Sequence, residues 1–305
     1  MIKPIIEVKD FIKSYADTIA VNSINFNVRQ GEIFGLLGPN GAGKTSTLEC
    51  LEGLRSPTAG TLMVAGHDPG RDHRALRNII GVQLQSCGLP ESITPVEAMK
   101  FFCSYHQIPP RLDLLERFDL AEKRKSQFLD LSAGQQRRLI LALAIAHDPK
   151  ILFLDEPTAG LDVASRVELH TAMQELKYKG TTIILATHDM AEAEELSDRV
   201  AILLNGQIAT IGSPMDITAT GSDLTKISVR SENACLMNQD ANFPAVAKVL
   251  IKDDYSIYFS THIGSTVSAI IAFIDNHADT LIDLRVERPS LEDRFLEITG
   301  KGAKQ

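Results

Sequence analysis

The stretch Gly38-Pro39-Asn40-Gly41-Ala42-Gly43-Lys44-Thr45 has the spacing G-x-x-x-x-G-K-[ST], which is typical of a phosphate-binding loop. Apolar residues 33–37 precede it and predict a buried strand, and residues 45–51 predict the first turns of a helix. Glycines let successive backbone N–H groups curl around an anion, and the helix N-terminus adds partial positive charge. Lys44 could then reach the β- and γ-phosphates of a nucleotide, and the Thr45 hydroxyl could hold Mg²⁺. The alternative is a chance glycine-rich turn.

The composition is that of a folded protein with no strong electrostatic preference. The 305 residues have room for one large domain or two ordinary ones. A net charge of −8 gives no general attraction to nucleic acid or to anionic lipid. No apolar stretch approaches the ~20 residues that a membrane-spanning helix needs, so a partner would have to supply any spanning part.

The cysteines and the N-terminus predict a cytosolic protein. The N-terminal residues lack the apolar core of a signal peptide. The cysteines do not have metal-ligand spacing such as C-x-x-C, which favours reduced, half-buried thiols. They are Cys50, Cys87, Cys103 and Cys235.

Two alternating segments, residues 5–11 and 21–28, predict half-exposed strands at the start of the chain. Tyr15 lies between them. Its ring could stack on a nucleotide base, or it could simply pack within the hairpin.

Two carboxylates follow an apolar run at residues 151–154. The run predicts a central parallel strand that is buried on both faces. Asp155 and Glu156 come where this strand ends, and unpaired buried charge is costly. A phosphate-bound Mg²⁺ would explain Asp155, and a base or water-positioning group would explain Glu156.

Two further strands are predicted to end in polar side chains. Residues 79–84 lead to Gln85, which would face the ligand crevice of an α/β sheet or would be an ordinary surface residue. Residues 183–186 lead to His188, which could contact a γ-phosphate or could be a bystander beside a capping Asp189.

Two helix starts are predicted between these strands. Thr94-Pro95-Val96-Glu97 has a capping residue, a proline at the first helical position and a glutamate that can reach back. It opens a helical insert that continues to about residue 128. Leu131-Ser132-Ala133-Gly134-Gln135-Gln136-Arg137-Arg138 opens another helix, whose N-terminus is either an anion site or an ordinary cap.

The remaining third of the chain predicts a turn, a boundary and a small second domain. Asn205-Gly206 predicts a tight turn between two strands. A composition shift over residues 212–222 marks a domain boundary. Beyond it, alternating segments near residues 227, 255 and 282 predict strands, and helical spacing occurs near residue 270. Ser290-Leu291-Glu292-Asp293 predicts a final helix that ends at Gly300.

In this order, the motifs resemble those of the nucleotide-binding subunit of ABC transporters. They correspond to the adenine-stacking aromatic, Walker A, Q-loop, signature, Walker B, D-loop and H-loop, and the resemblance covers about residues 5–212. The corresponding positions are Tyr15, residues 38–45, Gln85, Leu131-Ser132-Ala133-Gly134-Gln135, Asp155-Glu156, Leu161-Asp162 and His188. Residues 289–300 are also similar to the tail of daunorubicin-resistance-type exporter ATPases.

The resemblance implies an α/β fold. We expect a P-loop ABC ATPase domain over residues 1–215, with a mixed sheet, an antiparallel β subdomain and a helical subdomain at about 88–140. A small C-terminal α+β domain would cover residues 225–305. A dimer clamp, a regulator and a contact to the membrane subunit remain open as its role.

The resemblance also implies ATP and Mg²⁺ as cofactors. The expected catalytic residues are Glu156, His188 and Gln85, and the expected metal ligands are Thr45, Gln85 and Asp155. The residues expected to bind nucleotide are Tyr15, Gly38, Pro39, Asn40, Gly41, Ala42, Gly43, Lys44, Thr45, Ser46, Ser132, Gly134 and Gln135.

The implied assembly is a head-to-tail dimer, homomeric or heteromeric, with ATP between the subunits. One subunit would supply the phosphate loop, and the other would supply its signature helix. An integral membrane permease would be the transport partner and would hold the chain on the inner face of the membrane. The alternative is an ABC-type ATPase acting on nucleic acid or ribosomes, which the charge disfavours, so we expect no nucleic-acid partner.

The chain departs from the family pattern at one position of the signature. Ala133 stands where the family usually has glycine. Alanine there would be unfavourable if the backbone needed a positive φ.

Overall fold

A computed structural model describes residues 4–85, 88–219, 224–237 and 242–300. The chain forms two compact units, Met1–Ile211 and Gly212–Gln305. Cys87 lies outside the described residues, and so do residues 220–222 of the predicted boundary at 212–222.

The first unit alternates strands and helices, as the motif order predicts. Its elements are β1 Pro4–Tyr15, β2 Thr18–Arg29, β3 Ile33–Leu37, α1 Lys44–Leu51, β4 Ala59–Val64, α2 His73–Arg77, β5 Ile80–Gln83, α3 Pro95–Tyr105, α4 Leu112–Arg117, a 3-10 turn Phe128–Asp130, α5 Ala133–Ala144, β6 Ile151–Asp155, α6 Val163–Tyr178, β7 Thr182–Thr187, α7 Met190–Leu196, β8 Arg199–Leu204 and β9 Gln207–Gly212.

The centre of this unit is a six-stranded sheet with the order β5-β6-β7-β3-β8-β9. The pairs from β5 to β8 are all parallel, and β6, β7 and β3 are buried along their whole length. Because parallel strands end at the same edge, the loops after β5, β6, β7 and β3 come together there. The predicted Asn205-Gly206 turn joins β8 to β9, with φ values of 48° and 75°.

Two apolar cores lie on opposite faces of this sheet. An antiparallel sheet with the order β2-β1-β4, together with α1, packs on one face. Helices α3, α4, α5 and α6 pack on the other, so the helical subdomain shares its core with residues of β6 and β7. These layers match the predicted antiparallel and helical subdomains.

The predicted capping residues begin their helices. The Thr94 hydroxyl accepts from the Glu97 backbone N–H, and Pro95 is the first residue of α3. Ser132 caps α5, Asp162 caps α6 and Asp189 caps α7. Each cap satisfies a backbone N–H that the helix leaves free.

The second unit is a four-stranded antiparallel sheet covered on one face by a helix. The sheet order is β11-β12-β10-β13, and α9 shares a core with β10 and β12. Its elements are α8 Pro214–Ala219, β10 Thr225–Ser231, a 3-10 turn Cys235–Met237, β11 Val246–Lys252, β12 Tyr255–Ser260, α9 Ile263–Asn276, β13 Leu281–Glu287 and α10 Leu291–Ile298.

The structure differs from the predictions at the ends and edges of elements. Strand β5 ends at Gln83, so Gln85 lies beyond the strand rather than at its last residue. Helices α2 and α8 and strand β11 were not predicted. The first unit ends at Ile211 rather than 215, because the segment from Gly212 belongs to the second unit with α8.

Candidate nucleotide site

The phosphate loop leaves β3 and turns directly into α1. Gly43 has a φ of 102°, and a Cβ at this position would lie 2.5 Å from the carbonyl oxygen of Ala20. Only glycine fits both constraints, because a side chain would be strained and would overlap backbone. The helix then begins at Lys44, which points the free N–H groups of its first turn into the loop.

Lys44 is the buried positive charge of the site. Its side chain is 6% exposed, and its Nζ donates to the carbonyl oxygen of Gly38 at 2.8 Å and to that of Pro39 at 3.3 Å. The same Nζ lies 3.5 Å from Oε1 of Glu156. Lys44 therefore joins the phosphate loop to the end of β6.

Thr45 and Asp155 form a pair of candidate oxygen ligands for a metal ion. The Thr45 hydroxyl donates to Oδ2 of Asp155 at 2.8 Å, whereas Oδ1 of Asp155 is buried without a hydrogen-bond partner. Burial raises the pKa of Asp155, and the Thr45 hydrogen bond opposes this. A hydroxyl beside a carboxylate with an unused oxygen suits Mg²⁺, which keeps few protein ligands. Among the described residues, no group of three or more His, Cys, Asp or Glu residues could hold a metal ion alone.

Glu156 and His188 form the second polar pair. Nδ1 of His188 lies 2.7 Å from Oε2 of Glu156. The glutamate side chain is 6% exposed, whereas the histidine side chain is 54% exposed. Glu156 also has a φ of 48°, which is unfavourable for a non-glycine residue, and such strain is concentrated at functional sites.

Gln85 lies at the same edge with an exposed side chain. Its backbone carbonyl accepts from Nη2 of Arg137 at 3.0 Å, and the Leu84 carbonyl accepts from Nη1 at 3.5 Å. Arg137 is on α5, so it connects the loop after β5 to the helix that begins at Ser132. No local sequence pattern predicts this role of Arg137, because its contacts join residues more than fifty positions apart.

Tyr15 lies beside the first turns of α1. Its hydroxyl donates to the Ser46 hydroxyl at 3.2 Å. The Lys13 ammonium is 4.9 Å and the Arg55 guanidinium 5.3 Å from the centre of the ring. The structure thus brings the predicted aromatic residue to the phosphate-loop helix.

The N-terminus of α5 carries the residues predicted from the signature. Ser132 and Gln135 form a capping box, in which each side chain accepts from the backbone N–H of the other. Ala133 is an exposed first residue of the helix and does not have a positive φ. The expected penalty for alanine at this position therefore does not arise.

Gly134, by contrast, is buried against α6. A Cβ on Gly134 would lie 2.4 Å from the Ser165 hydroxyl oxygen and 3.0 Å from the Ser165 Cβ. Ser165 in turn donates to the capping carboxylate of Asp162 through its backbone N–H and its hydroxyl. The N-termini of α5 and α6 are therefore in direct contact.

Comparison with known proteins agrees with this geometry. The family model described as ABC transporter matches residues 21–159. The daunorubicin resistance ATP-binding protein DrrA3 of Streptomyces coeruleorubidus is 32% identical, over 94% of this chain and 93% of its own length. The chain belongs to the ABC transporter ATP-binding family.

Other ABC transporter proteins are also similar to this chain. The Nod factor export ATP-binding protein I of Ralstonia nicotianae is 34% identical over 98% of this chain and 94% of that protein. The solved structure of an ATP-binding subunit of an ABC transporter has a TM-score of 0.65 and 30% identity, and it covers 70% of this chain and 91% of its own. Cbio1 from Clostridium perfringens gives a TM-score of 0.64 with 29% identity, over 71% and 91% of the two chains.

The chain is thus an ATP-binding and ATP-hydrolysing subunit of an ABC export system. The export relatives favour this function over an ATPase that acts on nucleic acid or ribosomes. In the described parts of the chain, no helix has the length and apolarity needed to span a bilayer.

Proposed function

We propose that this chain hydrolyses Mg²⁺-ATP with Glu156 as the general base and thereby drives export through a separate permease. The observation that carries the proposal is the position of Glu156. It is buried, it is 2.7 Å from His188 and 3.5 Å from Lys44, and it directly follows the candidate metal ligand Asp155. A carboxylate held by two cationic or hydrogen-bonding groups can accept a proton from an attacking water.

The other predicted residues have complementary roles. Lys44 and the phosphate loop of residues 38–46, through the backbone N–H groups that follow Pro39, bind the phosphates, and Tyr15 stacks on the base. Thr45 and Asp155 would hold Mg²⁺, with the side chain of Gln85 as a further ligand. When bound, Mg²⁺ neutralises charge on the phosphate oxygens. His188 orients the Glu156 carboxylate and reaches toward the γ-phosphate.

The signature helix acts on the nucleotide of a second subunit. Ser132 and Gln135 are at least partly exposed at a capped helix N-terminus, where an anion is favoured. We expect a head-to-tail dimer, in which this end completes the phosphate cage of the partner. ATP binds the closed dimer more tightly than the open one, so binding and hydrolysis alternate the two states.

A groove on the first unit supports an apolar protein partner. It has a volume of about 470 Å³ and lies between α2, β5, α3 and α5. Its rim includes the exposed apolar side chains of Leu54, Leu84 and Tyr105. Leu84 directly precedes Gln85, so a permease bound in this groove would contact the residue next to a predicted residue of the nucleotide site. The permease would hold the chain on the cytoplasmic face of the membrane.

Two substitutions test this function. Glu156→Gln keeps the shape of the side chain but removes the base, so we expect ATP binding to persist while turnover falls by about 10²-fold or more. Lys44→Ala removes the buried cation, so we expect ATP affinity itself to fall. Both are measured by ATPase assay and by nucleotide binding on purified protein.

The same Glu156→Gln variant tests the partner. The variant is expressed in cells, where it should remain bound to ATP. The membranes are then solubilised in mild detergent, and the co-purifying proteins are identified. We expect a multi-span membrane protein. Near-normal hydrolysis by Glu156→Gln would remove the general-base role, and recovery of ribosomes or DNA without a membrane protein would overturn the export function.

A further inference from the structure

Three buried polar side chains form a cluster behind the nucleotide site. The Thr158 hydroxyl donates to Oε1 of Glu192 at 2.6 Å, and Nε2 of His170 lies 3.3 Å from the same oxygen. Thr158, His170 and Glu192 are 4%, 6% and 2% exposed. None of the three belongs to the motifs found in the sequence.

A buried glutamate is costly unless its charge is compensated. Oε2 of Glu192 has no hydrogen-bond partner, so its compensation comes through Oε1 from Thr158 and His170. The hydrogen bond to Glu192 raises the pKa of His170 against the opposing effect of burial, and Glu195 adds to this rise. Protonation of His170 would supply a counter-charge to the Glu192 carboxylate.

The cluster joins the three segments that carry the candidate site. Thr158 lies two residues after Glu156 in a turn where the Ala159 N–H donates to the Glu156 carbonyl. Glu192 is in the first turn of α7, four residues after His188. His170 is on α6, the helix that Asp162 caps.

The start of α7 does not need the Glu192 side chain. The Asp189 carboxylate already accepts the Glu192 backbone N–H at 3.0 Å, and Arg166 of α6 donates to the same carboxylate at 3.2 Å. The carboxylate of Glu192 is instead directed at the loop that follows Glu156. The cap at Asp189 does not require this contact between Glu192 and Thr158.

We infer that Glu192, held by Thr158 and His170, is a positioning residue that fixes the spacing between Glu156 and His188; this rests on the function proposed above. It does not contact the reacting atoms. It sets where the loop after β6 and the start of α7 lie relative to each other, and so keeps the 2.7 Å contact between the base and the histidine. Displacing such a pair by about 1 Å can lower turnover about a hundredfold.

The test removes one hydroxyl from the cluster. Thr158→Val keeps the volume and the branch of the side chain but takes away the donor to Glu192. We expect kcat for ATP hydrolysis to fall between about tenfold and a hundredfold, with KM and ATP affinity within about twofold of the wild type. Thr158→Ser restores the hydroxyl and should return kcat to within about threefold of the wild type.

A matched control is available on α6. Thr171 is exposed, and its hydroxyl donates only to the Val167 carbonyl, so Thr171→Val should leave kcat unchanged. Melting temperatures of all variants are measured in parallel. His170→Gln, which removes the imidazole next to Glu192, provides a second route to the same loss of kcat if Thr158→Val does not fold.

The outcomes separate this inference from the proposed function. If Glu156→Gln abolishes turnover while Thr158→Val and His170→Gln retain it, the function stands and the positioning role is wrong. The role is also wrong if kcat and KM change together, or if Thr158→Ser is as impaired as Thr158→Val. A wild-type protein without ATPase activity would instead refute the proposed function itself.

Discussion

Glu52 is a buried acid whose ionisation should destabilise the fold. It caps the C-terminus of α1, is 8% exposed, and has an Oε2 atom without a hydrogen-bond partner. Burial, with further contributions from Asp155 and Glu49, raises its pKa from 4.5 to about 8. The folded chain therefore holds this carboxyl neutral at a pH where the unfolded chain has ionised it.

The sign and size of the effect follow from this difference. Below pH 4.5 both states are protonated and the group has no effect on stability; as pH rises toward 8 the folded state is progressively disfavoured. At about 1.4 kcal/mol per pH unit, the cost is about 3 kcal/mol at pH 7. Glu52→Gln imitates the neutral carboxyl, so we expect it to stabilise the protein by about this amount at pH 7 and by less than about 1 kcal/mol at pH 5.

The assay is urea denaturation of the wild type and of Glu52→Gln at pH 5, 7 and 8. The control is Glu122→Gln, because Glu122 is exposed and its substitution should change stability by less than about 1 kcal/mol at any pH. A stability difference for Glu52→Gln that does not grow with pH, or a destabilised variant at pH 8, would show that Glu52 is ionised in the folded protein.

Three contacts of the signature helix give further predictions. Gly134→Ala should lower stability by about 1–3 kcal/mol, because its Cβ would overlap Ser165, and the loss should be smaller in the double variant with Ser165→Gly, as measured by thermal melting. Ala133→Gly, at an exposed helical position, should cost at most about 1 kcal/mol and leave ATPase activity within about twofold; a large gain in rate would mean that alanine does limit the site. Arg137→Gln removes two bonds to the loop at Gln85, so ATPase activity should fall about tenfold while ATP affinity stays constant; equal losses in both would contradict a role in coupling the loop to α5.

The sequence predicted the elements that carry the candidate site because its motifs depend on local chemistry. The strand before the phosphate loop, the carboxylates after β6 and the caps at Ser132, Asp162 and Asp189 all follow from short-range patterns. Parallel pairing then brings the strand ends to one edge. The helical subdomain followed in the same way from the Thr94 capping box.

Elements with weak or misleading local signals were missed. Strand β11 is a sheet edge with lysines and partly exposed apolar residues, so its alternation is faint. Ser213 and Pro214 fall within the predicted domain boundary, yet the Ser213 hydroxyl accepts the Asp216 N–H at the start of α8. A hydroxyl residue followed by proline and then an acidic residue also begins α3, at Thr94. At Ser213 the same pattern lies in a predicted boundary, where no long apolar helix pattern follows it.

Contacts between distant segments could not be predicted. The approach of Lys44 to Glu156, and that of Thr158 to Glu192, depend on the spacing of β3, β6 and β7 in the folded sheet. The position of Glu192 in the first turn of a helix already suggests a favourable charge–dipole role, so nothing in the sequence indicates that its side chain is buried.

The contact between Gly134 and Ser165 has a mechanical consequence. One turn further along the same two helices, the guanidinium of Arg138 forms an ion pair with Glu168. Because the two helices are in contact at two points along their length, they cannot tilt relative to each other as easily as helices with a single contact. Helices α5 and α6 are therefore joined over two successive turns, so we expect their N-terminal ends, capped by Ser132 and Asp162, to move together rather than separately.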